Sequence, residues 1–445
     1  MLSPATSFIG FWPKMVDPRR HPALQPFGRA LGVHQPRVHA VARLPSIAVS
    51  PYSRFTHVVD FVTPATIGDP PMNYANNNND GRPFRENTNF TACFLENLAG
   101  ALVSVPASTV RRTDQGFIGY PRGTNRCLWN CDFPGGVSAG VWVSSGGGIT
   151  ATKDQTSGDG TLNAASRLTA NGANARITHT AVTLASTNLL FQMRAKRLVG
   201  TGRIYMTLDN WATKTDVTAL LGTTTWGLPF CSQDALANPQ FGIEMETASD
   251  QIAVDFGDVW STFITAQVSR KPQRIYARQT TVAASVAQSR PVAVAADAGF
   301  WNGVGGSLFL TPYAVYAECS SEGNAGQMAI LTGITDTTIT ILPDGSVTFG
   351  QGSGSQASVP AGTFQFGLGI NNKVLCQVDA SGLKQITVNG VNGTDGTGGT
   401  FPATLSHMDI WTNGAAFRSL FGIGRKIAAV AAIMFSPADR ITLTT

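Results

Sequence analysis

The sequence predicts an all-β protein made of antiparallel β-sandwiches, and two observations carry this prediction. From Gly306 onward, apolar and polar residues alternate at a period of two, and turn-forming stretches such as Pro343-Asp344-Gly345 separate the segments. This alternation is typical of short strands with one buried face. Only 13% of the 445 residues are charged, which is low for a helical protein rich in Glu and Lys. The expected core positions are Tyr313, Val315, Ala317, Ile339, Ile341, Val374, Cys376 and Val378.

Charge, cysteines and hydropathy exclude several classes of protein. The net charge of +5 is spread along the chain without a block of basic residues, so we expect no nucleic-acid groove. The six cysteines show no disulfide spacing, and we expect free thiols. The longest apolar run, residues 427–435, is far shorter than the roughly 20 residues that span a bilayer, and we expect no membrane insertion.

The chain divides into an arm, a transition segment and two β domains. The first 55 residues are rich in proline and arginine and show no regular period, so they form an extended arm that cannot close a core of its own. The arm is expected to dock on a partner, although folding back on the β domains remains open. The predicted boundaries are 1–55 for the arm, 56–125 for a transition segment with a β-hairpin, 126–285 for the first sandwich, 286–305 for a linker and 306–445 for the second sandwich.

Within the first sandwich, strands are predicted from the same alternation. A short helix within the adjoining segment 270–305, around residues 281–288, remains open as an alternative to a linker or shoulder strand. The predicted strands cover residues 176–184, 188–195, 202–209, 240–247, 251–257 and 262–269.

Several phrases of the sequence resemble modules of bacteriophage appendage proteins. Residues 133–142 and 160–168 resemble the opening of carbohydrate-binding-module-like jelly rolls. Residues 108–128 are similar to a hairpin phrase of phage tail proteins, but depart from it at Arg126 and Cys127, where the family phrase continues from Asn directly to two Leu. Residues 384–390 and the closing residues 435–444 resemble concanavalin/laminin-G-like jelly rolls.

The resemblance implies two antiparallel jelly-roll β-sandwiches in series behind the arm. It further implies a virion appendage subunit, a fibre or head spike, that binds host surface polysaccharide and contacts capsid, portal or tail proteins. Such a protein is assembled in the host cytoplasm, released by lysis, and forms a homo-trimer or homo-pentamer that matches particle symmetry. The residues expected to anchor the arm to the particle are Phe8, Phe11, Trp12, Arg19 and Arg20. The alternative is a structural decoration or adaptor protein without glycan binding.

Aromatic residues beside short polar ones are the candidates for sugar binding. Aromatic faces stack on the C–H surface of a pyranose, while Asp and Asn side chains hydrogen-bond its hydroxyls. Trp211 is the preferred candidate because Asp209, Asn210 and Lys214 flank it, although core packing remains open for each of these tryptophans. The full candidate set is Tyr205, Asp209, Asn210, Trp211, Trp226, Asp258, Trp260 and Trp411.

No catalytic residue is predicted. The sharpest enzymatic alternative is a glycan depolymerase that uses Glu244 and Glu246, which share one strand face about 7 Å apart. The third acid of laminarinase-like strands is missing, because Ser249 stands at its position, so a solvated strand face is the preferred interpretation. No cofactor is expected. A structural calcium near Asp255 and Asp258 is compatible with the sequence, but no spacing requires one.

Overall fold

The computed structural model describes residues 54–55, 57–62, 84–86, 92–106, 111–119, 123–262, 272–280, 284–286, 291–294, 312–322, 326–333, 337–351, 354–398, 405–411, 420, 422–431 and 433–445. The predicted arm up to residue 53 lies outside these residues, and so do Phe8, Phe11, Trp12, Arg19 and Arg20. The strand predicted at 262–269 is described only at its first residue.

In its described residues, the first part of the chain, up to residue 262, forms seven short strands, one α-helix and then ten strands that build most of the first sandwich. In chain order these are β1 (His57–Asp60), β2 (Phe84–Glu86), β3 (Cys93–Glu96), β4 (Leu102–Val105), β5 (Arg112–Thr113), β6 (Gly116–Gly119), β7 (Gly123–Asn125), α1 (Phe133–Ser138), β8 (Trp142–Gly146), β9 (Ile149–Gln155), β10 (Ala165–Ala170), β11 (Ala175–His179), β12 (Thr187–Val199), β13 (Ile204–Thr207), β14 (Thr215–Asp216), β15 (Phe230–Leu236), β16 (Phe241–Met245) and β17 (Gln251–Thr262).

The second part continues with strands and ends on a helix. These elements are β18 (Ile275–Tyr276), β19 (Ala284–Val286), β20 (Pro291–Val294), β21 (Tyr313–Ser321), β22 (Gly326–Gly333), β23 (Thr337–Ile341), β24 (Val347–Gln351), β25 (Ala357–Val359), β26 (Asn372–Val378), β27 (Lys384–Val388), β28 (Val391–Asn392), β29 (Leu405–Ile410), β30 (Gly422–Ala431) and α2 (Pro437–Thr444).

The first sandwich packs a seven-stranded sheet against a five-stranded sheet. The larger sheet has the order β15-β12-β17-β10-β9, with β7 paired to β17 and β19, and the smaller has the order β14-β13-β16-β11-β8. The strands pair antiparallel, as predicted. Alternate residues of both sheets point inward and bury one core. This core includes Trp142, Leu168, Ile177, Phe191, Ile243 and Val254.

The second sandwich repeats this arrangement with an eight-stranded and a seven-stranded sheet. Their orders are β28-β27-β26-β21-β30-β6-β5, with β1 also paired to β30, and β2-β20-β29-β22-β23-β24-β25. These strands are also antiparallel. All eight core positions predicted from the alternation are buried in this sandwich, which confirms both the period and its register.

A third, smaller sheet lies between the sandwiches. Its order is β18-β3-β4, again antiparallel. Leu95 of β3 packs in one buried cluster with Leu190 and Trp260 of the first sandwich and with Ile423 of the second. The two sandwiches and this sheet form one compact unit, residues 50–445.

Strands of the transition segment join both sandwiches. The predicted hairpin is present as β5 and β6, and it extends the eight-stranded sheet through β30. β7, by contrast, pairs with β17 of the first sandwich. Phe55, at the end of the predicted arm, is buried 5.1 Å from the Phe435 ring. The segment predicted as a linker contains β20, which pairs with β29.

The bounds of the other predicted strands agree with the structure to within about five residues, whereas the last residues of the chain form a helix after the final strand. The segments predicted at 176–184, 188–195, 202–209, 240–247 and 251–257 correspond to β11, β12, β13, β16 and β17. The closing residues form the helix α2, which the sequence analysis did not predict. Ser436 caps it through Asp439 N–H, Pro437 opens it, and Leu443 packs with Phe435 on the eight-stranded sheet.

All six cysteines are buried free thiols, as predicted. Among the described residues, no helix has the length and apolar character needed to cross a membrane.

Candidate functional site

Trp211 lies on the outer face of the five-stranded sheet, above a row of small side chains. The strand register places Thr178 of β11 beside Gly242 of β16, and Gly242 beside Thr207 of β13. The indole Nε1 donates to Thr178 Oγ1 at 2.9 Å, and the Trp211 backbone N–H donates to Thr207 Oγ1 at 3.1 Å. A Cβ atom at Gly242 would lie 2.9 Å from Trp211 Cζ2. Glycine at this position therefore lets the indole ring lie against the sheet.

A tight turn after β13 presents this ring. Asn210 and Trp211 both have left-handed backbone angles, with φ of 54° and 71°. Asp209 stabilises the turn, because its Oδ1 accepts from the Thr213 backbone N–H at 2.9 Å and from Thr207 Oγ1 at 2.9 Å. Partial burial raises the pKa of Asp209, but the hydrogen bonds from Thr213 and Thr207 outweigh it and lower that pKa below its usual value. Asp209 is thus committed to holding the turn rather than to a ligand.

Beside this row lies a second row that carries charge. Arg176 of β11 is in register with Glu244 of β16, which is in register with Tyr205 of β13. The Glu244 carboxylate is only 1% exposed and accepts from Arg176 Nε and from Lys214 Nζ, the latter at 2.6 and 2.8 Å. A buried carboxylate needs such partners, because an unpaired charge is costly to desolvate.

The two cations also contact the aromatic rings. The Arg176 guanidinium carbon lies 4.9 Å from the centre of the Trp211 ring, and Lys214 Nζ lies 5.6 Å from that of Tyr205. Both rings are half-buried, whereas the Arg176 and Lys214 side chains are 31% and 34% exposed. We call the face formed by Thr178, Arg176, Tyr205, Trp211, Lys214 and Glu244 the indole face. Its chemistry is that of aromatic surface combined with fixed hydrogen-bond donors.

The structure brings part of the predicted candidate set together at the indole face. Tyr205, Asp209, Asn210 and Trp211 are close in space, and Asn210 is exposed. Trp226 is elsewhere, on the outer side of the seven-stranded sheet, where its ring lies 4.9 Å from the Arg194 guanidinium and 4.8 Å from Lys196 Nζ. It is a separate candidate on the opposite face of the sandwich.

Three predicted candidates are corrected by the structure, because they are buried. The Trp260 side chain is completely buried among residues of the small sheet. Trp411 is equally buried in the core of the second sandwich, 6.3 Å from the Phe61 ring. Asp258 is also buried, where its Oδ1 accepts from Asn125 and Asn130 at 2.6 and 2.8 Å. None of the three presents a surface to a sugar.

The structure brings no set of metal ligands together among the residues it describes. In that part of the chain, no three His, Cys, Asp or Glu side chains are grouped so as to hold a metal ion. Asp255 Oδ2 accepts from Arg194 Nη1 at 2.8 Å and from the Gly158 backbone N–H at 2.9 Å. The structural calcium near Asp255 and Asp258 stays a prediction.

Two parts of the indole face, Arg176 and the buried Glu244, were not predicted from the sequence. Arg176 is absent from the predicted candidates, and the preferred interpretation of Glu244 as part of a solvated strand face was wrong, because its carboxylate is buried between Arg176 and Lys214. The signal was present in the period of two, since Gly242 and Glu244 alternate with the core residues Phe241, Ile243 and Met245. Pairing of β11 with β16, which brings Arg176 beside Glu244, is not visible in the sequence.

Comparisons with known proteins give weak similarities only. No family model matches the chain, and no curated protein matches its sequence. Domains LG4-5 of the mouse laminin alpha1 chain share 12% identity at a TM-score of 0.23, covering 64% of this chain and 90% of that one.

Two further solved structures are similar to the same extent. A truncated AlyQ with CBM32 and alginate lyase domains shares 11% identity at a TM-score of 0.21, covering 65% of this chain and 99% of that chain. The N-terminal CBM22-1-CBM22-2 tandem domain of Paenibacillus barcinonensis Xyn10C shares 8% identity at a TM-score of 0.23, covering 71% of this chain and 97% of that chain. At these TM-scores the similarities carry no argument about function, and the fold rests on the sheet topology described above.

Proposed function

We propose that this chain is a non-catalytic glycan-binding protein and that the indole face is its binding surface. One observation carries the proposal: the Trp211 indole is held on the outer side of a sheet, next to Tyr205 and to partly exposed cations. A sugar ring needs an apolar surface for its C–H groups and polar groups for its hydroxyls, and this face offers both, with the Arg176 guanidinium carbon 4.9 Å from the centre of the Trp211 ring.

The geometry of Glu244 supports a binding role rather than hydrolysis. Both of its carboxylate oxygens accept from Lys214 Nζ, and one also accepts from Arg176 Nε. A general acid or nucleophile must reach the scissile bond, but this carboxylate is buried beneath its two partners. Glu246, the second acid of the depolymerase alternative, is exposed and accepts weakly from the Arg203 backbone N–H at 3.4 Å.

The wider role that we propose is that of a virion appendage subunit. The support is the resemblance of the sequence phrases to phage appendage modules, together with the proline- and arginine-rich arm. In this role the arm anchors the subunit to the particle, and the sandwiches present the indole face to host surface polysaccharide.

Replacing Trp211 with alanine is expected to weaken glycan binding by about 1 to 3 kcal/mol, roughly 5- to 150-fold in Kd. Because the ring is half-buried and hydrogen-bonded, the same change is also expected to cost about 1 to 3 kcal/mol of stability. The binding is measured by a glycan array followed by calorimetry on the glycans retained.

Phe366→Ala is the matched control, because Phe366 is a half-buried aromatic residue of the second sandwich. It is expected to lower stability without changing glycan affinity. Equal affinities for the wild type and Trp211→Ala would reject the indole face. A full array without any bound glycan would reject glycan binding and favour the adaptor alternative.

Deleting residues 1 to 53 is expected to remove the subunit from purified particles without unfolding the sandwiches. The deletion stops before Arg54 because Arg54 Nη1 contacts Asp439 at 3.0 Å and Phe55 packs on Phe435. Thermal denaturation tests the folding, and mass spectrometry of particles tests incorporation. Normal incorporation of the shortened chain would show that the anchor lies elsewhere.

A further inference from the structure

The charges of the indole face are arranged unevenly, and their arrangement bears on the sugar that the face would take. In the charged row, Arg176 lies between Glu244 on one side and Ser145 of the edge strand β8 on the other. Arg176 and Lys214 share the single carboxylate of Glu244. These three groups together carry a net charge of +1, and the carboxylate is buried while both cations are partly exposed.

The nearby acids are engaged on the side away from Arg176. Asp216 Oδ1 accepts from the backbone N–H and the hydroxyl of Thr218, at 3.0 and 2.6 Å, and its Oδ2 lies 4.0 Å from Arg203 Nε. Glu246 likewise approaches Arg203. On the other side, β8 has the sequence Trp-Val-Ser-Ser-Gly and brings no acid. Acidic side chains therefore offset the positive charge of the face on the side of β14, whereas β8 carries no acid that offsets the charge of Arg176.

The terminal nitrogen atoms of Arg176, Nη1 and Nη2, are available to bind a ligand. Its hydrogen bond to Glu244 uses Nε, and among the described residues Nη1 and Nη2 make no hydrogen bond. Anchoring through Nε fixes the guanidinium plane, which leaves the two terminal N–H groups as a fork. Such a fork matches the two oxygens of a carboxylate better than it matches a single hydroxyl.

We propose that the indole face selects sugars that carry a carboxylate, that is, glycans of the uronic- or sialic-acid class. The carboxylate would bind Nη1 and Nη2 of Arg176, and the sugar ring would contact Trp211, whose centre lies 4.9 Å from the guanidinium carbon. Ser145 lies on the same side and supplies a hydroxyl. This assignment rests on the proposed function and names its substrate class.

The test uses acidic glycans and their carboxyl-reduced forms. Oligogalacturonate, oligomannuronate, hyaluronan and polysialic acid fragments are each paired with the same chain after reduction of every carboxylate to an alcohol. We expect the wild-type protein to bind at least one acidic member 10-fold or more tightly than its reduced partner. We also expect this preference to weaken between 50 mM and 500 mM salt, because part of it is charge attraction.

Arg176→Gln is expected to bring the acidic and reduced forms to within about threefold of each other in Kd, because the fork is lost. Arg176→Lys keeps the charge but not the fork, and an intermediate preference is expected. Lys373→Gln is the control of equal charge change on β26 of the second sandwich, and it should leave the preference unchanged. Thermal denaturation of each variant shows whether the fold is intact.

The outcomes separate this inference from the proposed function. Glycan binding with no loss on carboxyl reduction, or binding of neutral glycans only, would overturn the inference and leave the glycan-binding proposal standing. A preference for acidic glycans that survives Arg176→Gln in a folded variant would overturn the assignment to Arg176. Absence of binding to every acidic and neutral glycan would reject both proposals.

Discussion

Replacing Arg194 with methionine is expected to lower the free energy of unfolding by about 3 to 5 kcal/mol, the cost of removing one partner from a buried ion pair. The Arg194 side chain is 1% exposed, and its guanidinium donates to Glu96 Oε1 at 3.0 Å, Asp255 Oδ2 at 2.8 Å and the Gly100 carbonyl at 2.6 Å. Methionine fills much of the volume but leaves both carboxylates without this cation. Urea denaturation at neutral pH measures the change.

This network connects the first sandwich to the rest of the compact unit. Glu96 also accepts from Arg274 Nη1 at 2.6 Å and from the Tyr276 hydroxyl at 3.2 Å, and Arg274 in turn lies 3.3 Å from Glu322 of the second sandwich. We therefore expect Arg194→Met to loosen the small sheet first, which hydrogen exchange of β3 and β4 would reveal as reduced protection.

An exposed arginine provides the control for this prediction. The Arg203 side chain is 64% exposed and its Nε lies 4.0 Å from Asp216 Oδ2. Arg203→Met is expected to leave the free energy of unfolding nearly unchanged, because water screens an exposed ion pair. Similar stability losses for the two variants would contradict the assignment of Arg194 as the centre of a buried network.

The second large effect is expected from Asp258→Asn, and it depends on pH. Burial raises the pKa of Asp258 to about 7, and the negative charge of the nearby Asp255 also raises this pKa. The hydrogen bonds from Asn130 and Asn125 lower it, but by less than burial raises it. Below about pH 4 both the folded and the unfolded chain hold this proton. Between about pH 4 and pH 7 only the folded chain holds it, so the stability of the wild type falls as pH rises.

Asparagine at this position is neutral at every pH. The stability of Asp258→Asn relative to the wild type should therefore increase by about 4 kcal/mol between pH 4 and pH 7 and then stay constant. The side-chain oxygen of asparagine still accepts from Asn125 and Asn130, which keeps the local hydrogen bonds. Urea denaturation of both proteins from pH 4 to pH 8 measures the difference, and a difference independent of pH would contradict the prediction.

The contribution of His179 to stability has the opposite pH dependence to that of Asp258. The wild type must therefore be compared with Asp258→Asn, since both proteins contain His179. Burial lowers the pKa of His179 to about 4, and its Nε2 accepts a hydrogen bond from the Leu128 backbone N–H at 3.2 Å, which requires that this nitrogen be unprotonated. Between about pH 4 and pH 6.5 only the unfolded chain protonates this histidine, so its contribution to stability grows as pH rises. It opposes Asp258 over that interval and conceals the effect of Asp258 in the wild type alone.

The second sandwich was the part most accurately predicted from sequence. Val315 and Cys376 both lie in its core as predicted, and the residues between core positions point to the opposite face of the sheet, where Phe435 and Leu443 cover them. The prediction works because successive residues of a strand point to opposite faces, so a period of two gives the register. The helix α2 was not predicted, since eight residues with a proline and two threonines carry a weak helical pattern.

The candidate site was predicted only in part. Trp211 was recognised by its polar neighbours, and it does lie on an outer sheet face. The same reasoning wrongly selected Trp260 and Trp411, because an aromatic residue beside an aspartate has the same local sequence whether its strand face is covered or open. Trp260 is covered by the small sheet, in which β3 and β4 come from a distant part of the chain.

The fold class, the free thiols and the inward positions of the second sandwich could be predicted from the local period and the composition alone. Which sheet faces are covered and which charges meet depends instead on how the strands are arranged in space. Arg176 and Glu244 are 68 residues apart in the chain, and antiparallel pairing of β11 with β16 brings them into one ion pair beside Trp211. Such contacts depend on which strands become neighbours, and a period of two contains no information about the neighbour.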